Sequence, residues 1–269
     1  MIFELLQYDF FKRAILAGGF LAWAASILGI FLILRKDAMM GHGLTHIAFA
    51  GVALALLLNV LPFPVALIFS ALAAFLILKV REKVGLYGDT AVAILSNLGL
   101  AAGICLATLA KNFNVSLLSF LFGNILAVSP VELYFSIALA LVVIASLLLF
   151  YHELLYITFD EESAKAAGLP VARLDALLAL LTAITVVVGM KIMGLLLVSA
   201  LLVIPSAAAL QVANNFRLCL GLASFFGIVS AFLGIILAGI LNLPASGTIV
   251  LFSGLIFGLS FLWRIIKGE

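Results

Sequence analysis

The sequence predicts an all-α fold: a polytopic transmembrane helix bundle of about eight to nine spans. Three observations lead there. Of the 269 residues, 67% are hydrophobic and 10% charged, with a mean hydropathy of +1.40. A soluble domain carries about 45–50% apolar and about 25% charged residues, and no globular core can hide the excess. The charged residues also mark segment ends, leaving uncharged runs of bilayer-crossing length. Finally, the runs too long for one span are each interrupted by proline, glycine or asparagine. The chain reads as a single transmembrane domain over 1–269, with one sizeable cytoplasmic loop at about 153–173.

Residues 14–34, between Arg13 and Arg35, make the first span. The run 38–78 is broken at Asn59-Val60-Leu61-Pro62-Phe63-Pro64, because closely spaced prolines end a helix and disfavour it in the preceding residue. It is expected to form a hairpin of two spans. Residues 90–110 and 133–152 supply the fourth and fifth. Between Ala176 and Phe216 the one charge is Lys191, flanked by Gly189 and Gly194, which suggests a second hairpin. Residues 218–263 split at Asn242-Leu243-Pro244-Ala245-Ser246-Gly247 into a third. Val115–Ser129 is apolar but is expected to be a short interfacial or re-entrant helix, with Pro130 starting the next span. The N-terminus does not read as a cleavable signal: Met1–Asp9 has no basic residue, and the apolar run is long, so it is expected to stay as the first span.

Positive charge sets the orientation. If the turn after span one is cytoplasmic, that side collects Arg35, Lys36, Lys79, Arg81, Lys83, Lys165, Arg173, Arg217, Arg264 and Lys267, against Lys111 and Lys191 among the outer loops. Nine spans then leave Lys12 and Arg13 outside, whereas eight would move them inside. A net charge of +2 gives no case for a nucleic-acid partner, and Cys105 and Cys219 have neither CxxC spacing nor a disulfide framework around them.

Absences narrow the chemistry. No GxxxxGK[ST] loop is present to cradle ATP phosphates. No carboxylate lies deep in a span; Asp89, Glu132 and Glu153 sit at span ends. Proton-coupled carriers usually bury such groups, which argues against a self-powered transporter. Either energy comes from a partner or the protein is not a pump.

The positive signal is Gly41-His42-Gly43-Leu44-Thr45-His46. An i, i+4 pair places both imidazoles on one helix face. His46 is nine residues beyond Asp37, hence roughly 13 Å into the membrane. Polar groups at that depth usually face a cavity, and neutral imidazoles suit a first-row transition metal such as zinc. The competing reading is a histidine satisfied by a hydroxyl or carbonyl, with Thr45 nearby. Gly43 stands where HExxH has its glutamate base, so protease chemistry is unsupported. Met39 and Met40 could hold a soft metal but more often pack. His152 is interfacial and gets no metal role. Ser96 and Asn97 are expected to make interhelical hydrogen bonds.

The cytoplasmic loop carries a second signal in Phe159-Asp160-Glu161-Glu162-Ser163-Ala164-Lys165-Ala166-Ala167-Gly168-Leu169-Pro170. Asp160 is a good N-cap, Glu161 and Glu162 suit the first turn, and Gly168 with Pro170 is a stop. A two-turn helix outside the membrane is expected; it could equally be a plain amphipathic connector.

Together these segments resemble the zinc/manganese/iron-uptake permease family of ABC transporters, and the zinc-uptake type in particular. The histidine segment followed by Gly51-Val52-Ala53-Leu54 resembles that family's second helix. Phe159-Asp160 with Ala164 and Gly168 resembles its ATPase-docking loop. Leu121–Leu126, Gly194–Pro205 and Pro244–Val250 match further stretches in the same order. The resemblance implies a homodimer in a bacterial inner membrane, a cytoplasmic ATP-binding subunit and an extracytoplasmic metal-binding protein. It also implies a role for His42 and His46 on the metal path, and for Phe159, Asp160, Glu161, Glu162, Ala164 and Gly168 in coupling to the ATPase. The chain itself is then no enzyme and holds no tight cofactor, its cargo being a divalent metal. Many relatives have aspartate at the position of His42; a His/His pair leans toward zinc, with manganese or iron open. A stand-alone cation carrier or channel, and an intramembrane metalloenzyme, remain the alternatives.

Overall fold

The computed structural model describes residues 7–84, 88–109, 123 and 125–267. Eleven helices occur among them: α1 (Asp9–Leu34), α2 (Met39–Leu57), α3 (Pro62–Val84), α4 (Gly88–Leu109), α5 (Pro130–Leu149), α6 (Tyr151–Phe159), α7 (Glu161–Ala166), α8 (Val171–Met193), α9 (Leu195–Val212), α10 (Phe216–Leu241) and α11 (Ala245–Lys267). All but α6 and α7 are long and apolar enough to cross a bilayer, so the described residues contain nine candidate spans. Of the two counts the sequence allows, nine is the one seen. Most of Val115–Ser129 lies outside the described residues; its end is a 3-10 turn at Ile125–Ala127.

Turn chemistry sets the hairpins. Lys36 adopts φ 60°, its N–H bonds Ile33 O at 3.0 Å, and Asp37 N–H bonds Leu32 O at 2.8 Å. That is a Schellman closure, and it folds α2 back directly after α1. Asn59 (φ 53°) and Asn242 (φ 58°) do the same after α2 and α10, with Val60 N–H on Ala55 O and Leu243 N–H on Ala238 O. The Asn59 and Asn242 stretches thus share one turn chemistry. Pro62 and Pro64 occupy the first turn of α3, where a missing N–H costs nothing. The helices therefore part just before the prolines. At α5, Ser129 and Glu132 form a reciprocal capping box.

The bundle has two groups joined by α8. Helices α2, α3 and α4 pack together; α1 packs with α5, α9 and α10, and α11 lies against α9 and α10. Helix α8 touches α1, α2, α3 and α9. Pro205 sits inside α9, which removes the N–H that would bond Leu201 O. Nearby, Ser206 Oγ donates to Ser26 O at 2.7 Å, stitching α9 to α1 through hydroxyls in the apolar core.

The two ends of the bundle differ as the charge bias requires. At one, Arg35, Asp175 and Glu161 meet, Arg264 donates to Gln211 at 2.7 Å, and Phe216 contacts Phe31, Tyr151 and Phe159. At the other, Lys191 pairs with Glu132 at 3.2 Å and lies over the Phe63 ring. By the positive-inside rule the first is the cytoplasmic end.

Candidate metal path and coupling element

His42 and His46 fall in the fourth and eighth positions of the 19-residue α2. Every residue from Met40 to Ala53 other than these two is buried. Met39, His42 and His46 therefore form the one partly open strip on this part of the helix, at i, i+3 and i+7. Met40 packs in the core at 3% exposure, whereas Met39 lies on the strip. The adjoining flank is built for contact: a Cβ at Gly43 would stand 2.5 Å from Val92 Cγ1, so α4 can approach this closely only because residue 43 is glycine.

The imidazoles stand with Nε2 atoms 3.2 Å apart and ring planes at 87°. Two ligands of a tetrahedral zinc, each at about 2.0–2.1 Å, would be about 3.3–3.4 Å apart. Adjacent ligands of an octahedral ion would be about 3 Å apart. The spacing thus fits a shared cation without selecting one. Thr45 donates to His42 O at 2.6 Å rather than to either ring, so the competing expectation of a hydroxyl-satisfied ring does not hold for Thr45; without an ion the two Nε2 atoms hydrogen-bond to each other. His46 Nδ1 is buried with no hydrogen-bond partner among the described residues. Among the described residues no group of three His, Cys, Asp or Glu side chains gathers there either. A cation at this pair would need ligands beyond these two imidazoles.

The cytoplasmic loop folds as its residue pattern predicts. Asp160 caps α7, accepting from Ser163 N–H at 2.9 Å, and Lys165 pairs with Glu161 at 2.6 Å. Hydrogen bonds from Ser163 hold the Asp160 carboxyl below its ordinary range. Its stabilising effect on α7 is therefore complete across neutral pH and is lost only as pH falls through that depressed value. Ala164 is fully buried and seats the helix on the bundle, while Glu162 is exposed. Gly168 ends the segment at φ 81°, a conformation side-chain-bearing residues avoid. Phe159, 66% exposed, sets its ring edge-on to Phe216 at 6.0 Å. The helix spans six residues, slightly short of the expected two turns. Ahead of it α6 is a separate helix, broken from α5 at Phe150.

Other candidates separate. His152 is exposed on α6 and meets Tyr151. Ser96 is buried against the Gly43 contact and Asn97 is exposed on α4, and the expected interhelical bond is not seen among the described residues. Sequence reasoning missed Arg35. Its side chain, 5% exposed, binds Asp175 at 2.5 Å, Glu161 at 3.5 Å and Ile157 O at 3.2 Å. In the sequence it served only to orient the first turn.

A multi-span helical bundle with a small capped helix on its cytoplasmic face is the architecture of an ABC-importer membrane subunit. Residues 7–264 match the ABC 3 transport family, and the chain belongs to it. It is 34% identical over 265 residues to the manganese transport system membrane protein MntC of Halalkalibacterium halodurans, covering 98% of this chain and 91% of that one. It is 30% identical over 258 residues to the high-affinity zinc uptake system membrane protein ZnuB of Haemophilus influenzae, covering 96% and 99%. Among solved structures, PsaBC from Streptococcus pneumoniae in complex with Fab superposes with a TM-score of 0.86 at 33% identity, covering 97% of this chain and 95% of that chain. The chain is accordingly a membrane permease subunit of a metal-uptake ABC transporter.

Proposed function

We propose that this chain carries a divalent first-row transition metal from an extracytoplasmic binding protein to the cytoplasm, driven by ATP hydrolysis on a separate subunit. The observation carrying this is the His42/His46 pair, two imidazole nitrogens 3.2 Å apart on the partly open strip in the first half of an otherwise mostly buried helix. Imidazole binds such ions reversibly, and a conduit needs a site that admits an ion without trapping it. Zinc remains the first candidate from the donor set. Manganese is the named cargo of the relative MntC and zinc that of ZnuB, so relatives of both kinds match.

Two of the assembly's parts draw support from this chain's surface. The α7 helix with Phe159, Asp160, Glu161, Glu162, Ala164 and Gly168 is the proposed seat of the ATPase, being a capped, exposed element on the cytoplasmic face. A second copy of the chain is proposed to cover α4, where Asn97 would otherwise meet lipid mid-span, an expensive position for an amide. The bacterial inner membrane is the proposed location.

The test is to tag the chain, solubilise it gently from its native membrane, and identify what co-purifies. A stoichiometric nucleotide-binding chain with ATPase activity is expected. A lone chain that supports uptake without ATP would establish the stand-alone carrier instead.

A further inference from the structure

We propose that Arg35 is the positioning residue that carries motion of α7 to the histidine helix α2. The inference rests on the metal-import reading above. The Arg35 guanidinium is buried, and its fork reaches three elements: Asp175 at the start of α8, Glu161 in the first turn of α7 and the Ile157 carbonyl of α6. A planar fork with several donors can hold such a set at once; a lysine ammonium on its flexible stem cannot hold it in the same geometry.

What lies on the other side of Arg35 gives this contact its direction. Arg35 is the C-cap of α1, and the Schellman closure at Lys36 leaves only residues 36–38 before α2 begins at Met39. Met40 N–H bonds Asp37 O at 2.9 Å, so the turn has no slack. A displacement of Glu161 is therefore handed to the first turn of α2, within two turns of His46. The second anchor of this segment, Phe159 on Phe216, leads instead to α10. Room for movement exists: a cavity of about 460 Å³ opens between α3, α7 and α8, lined by Lys79, Glu161, Lys165 and Asp175 among others. Packed cores switch between arrangements rather than deform, and α7 borders this void.

Arg35→Lys is the decisive variant, studied as the complete transporter with its ATPase and binding protein in proteoliposomes, with zinc or manganese as the probe. ATPase co-purification and thermal unfolding in detergent are expected to match wild type. Metal imported per ATP hydrolysed is expected to fall at least about fivefold, the low end of ordinary coupling free energies. Glu161→Gln should give a similar loss, and the double variant clearly less than the product of the two losses, since the Arg35–Glu161 link is common to both although each residue has other partners. Should Arg35→Lys fail to assemble, Glu161→Gln against Glu162→Gln decides: Glu162 does not meet Arg35, so its variant should lose less. An unchanged metal-to-ATP ratio in assembled Arg35→Lys, multiplying losses in the double variant, or equal losses in Glu161→Gln and Glu162→Gln would overturn the inference. Wild-type vesicles that import no metal with ATP would overturn the import reading beneath it.

Discussion

A pair of imidazoles four residues apart is a common accident on a helix; here the surroundings make it informative. Every neighbour of His42 and His46 from Met40 to Ala53 is buried, so the open strip presents these two rings and Met39. His46→Ala is expected to reduce ATP-dependent metal uptake to background while subunit assembly, checked by co-purification, stays intact. His42→Asp should retain uptake and shift the ranking of metals toward manganese, since carboxylate suits that ion better than zinc; competition between the two ions measures this. Asp160→Lys replaces a cap with a cation at a helix N-terminus, and should uncouple ATP hydrolysis from uptake with the permease still folded. The i, i+4 pair and the Asp160 cap were legible because both are local patterns. Arg35 was not: its partners lie 122 to 140 positions away, and nothing in one sequence joins them.

At the scale of the helix, the close approach of α2 to α4 is set by what is missing at residue 43. Gly43→Ala should destabilise the permease by about 1–3 kcal/mol, the usual penalty for overpacking, because the new Cβ would meet Val92 Cγ1 at 2.5 Å. Adding Val92→Ala should restore most of the loss, and thermal unfolding in detergent of the three variants reads both effects. Rescue would show that the glycine serves packing; no rescue would place its role elsewhere. The hairpins themselves were legible from asparagine and proline, and α5 begins at Pro130 as that residue announced, although α1 begins at Asp9 rather than residue 14. Charge marks where a span must stop being apolar, while caps decide where the helix begins. Ser129 and Glu132 already spell the capping box, a signal the charge-based division passed over. Helix α6 had no such marker, since its break from α5 is the single residue Phe150.

For the molecule as a whole, the nine candidate spans among the described residues put the C-terminal end of α11 beside Gln211 at the Arg35 end, with Lys12 and Arg13 at the opposite face. The basic residues of the described loops thus gather where the orientation rule expects them. A single chain leaves large apolar faces on α4, α5 and α11, which a bilayer covers without further explanation. Asn97 in the middle of α4 is the exception. Asn97→Leu should weaken self-association of the permease, read as a shift toward monomer by cross-linking in membranes, if a second copy covers that face.

The central claim is that metal crosses at His42/His46 under ATP drive. The most direct measurement is radiolabelled zinc and manganese uptake into proteoliposomes holding the permease, its ATPase and its binding protein. The account predicts uptake that requires ATP and is lost in the His42→Ala/His46→Ala double variant, while that variant still assembles and hydrolyses ATP. Uptake that proceeds without ATP, or that survives loss of both imidazoles, would contradict it.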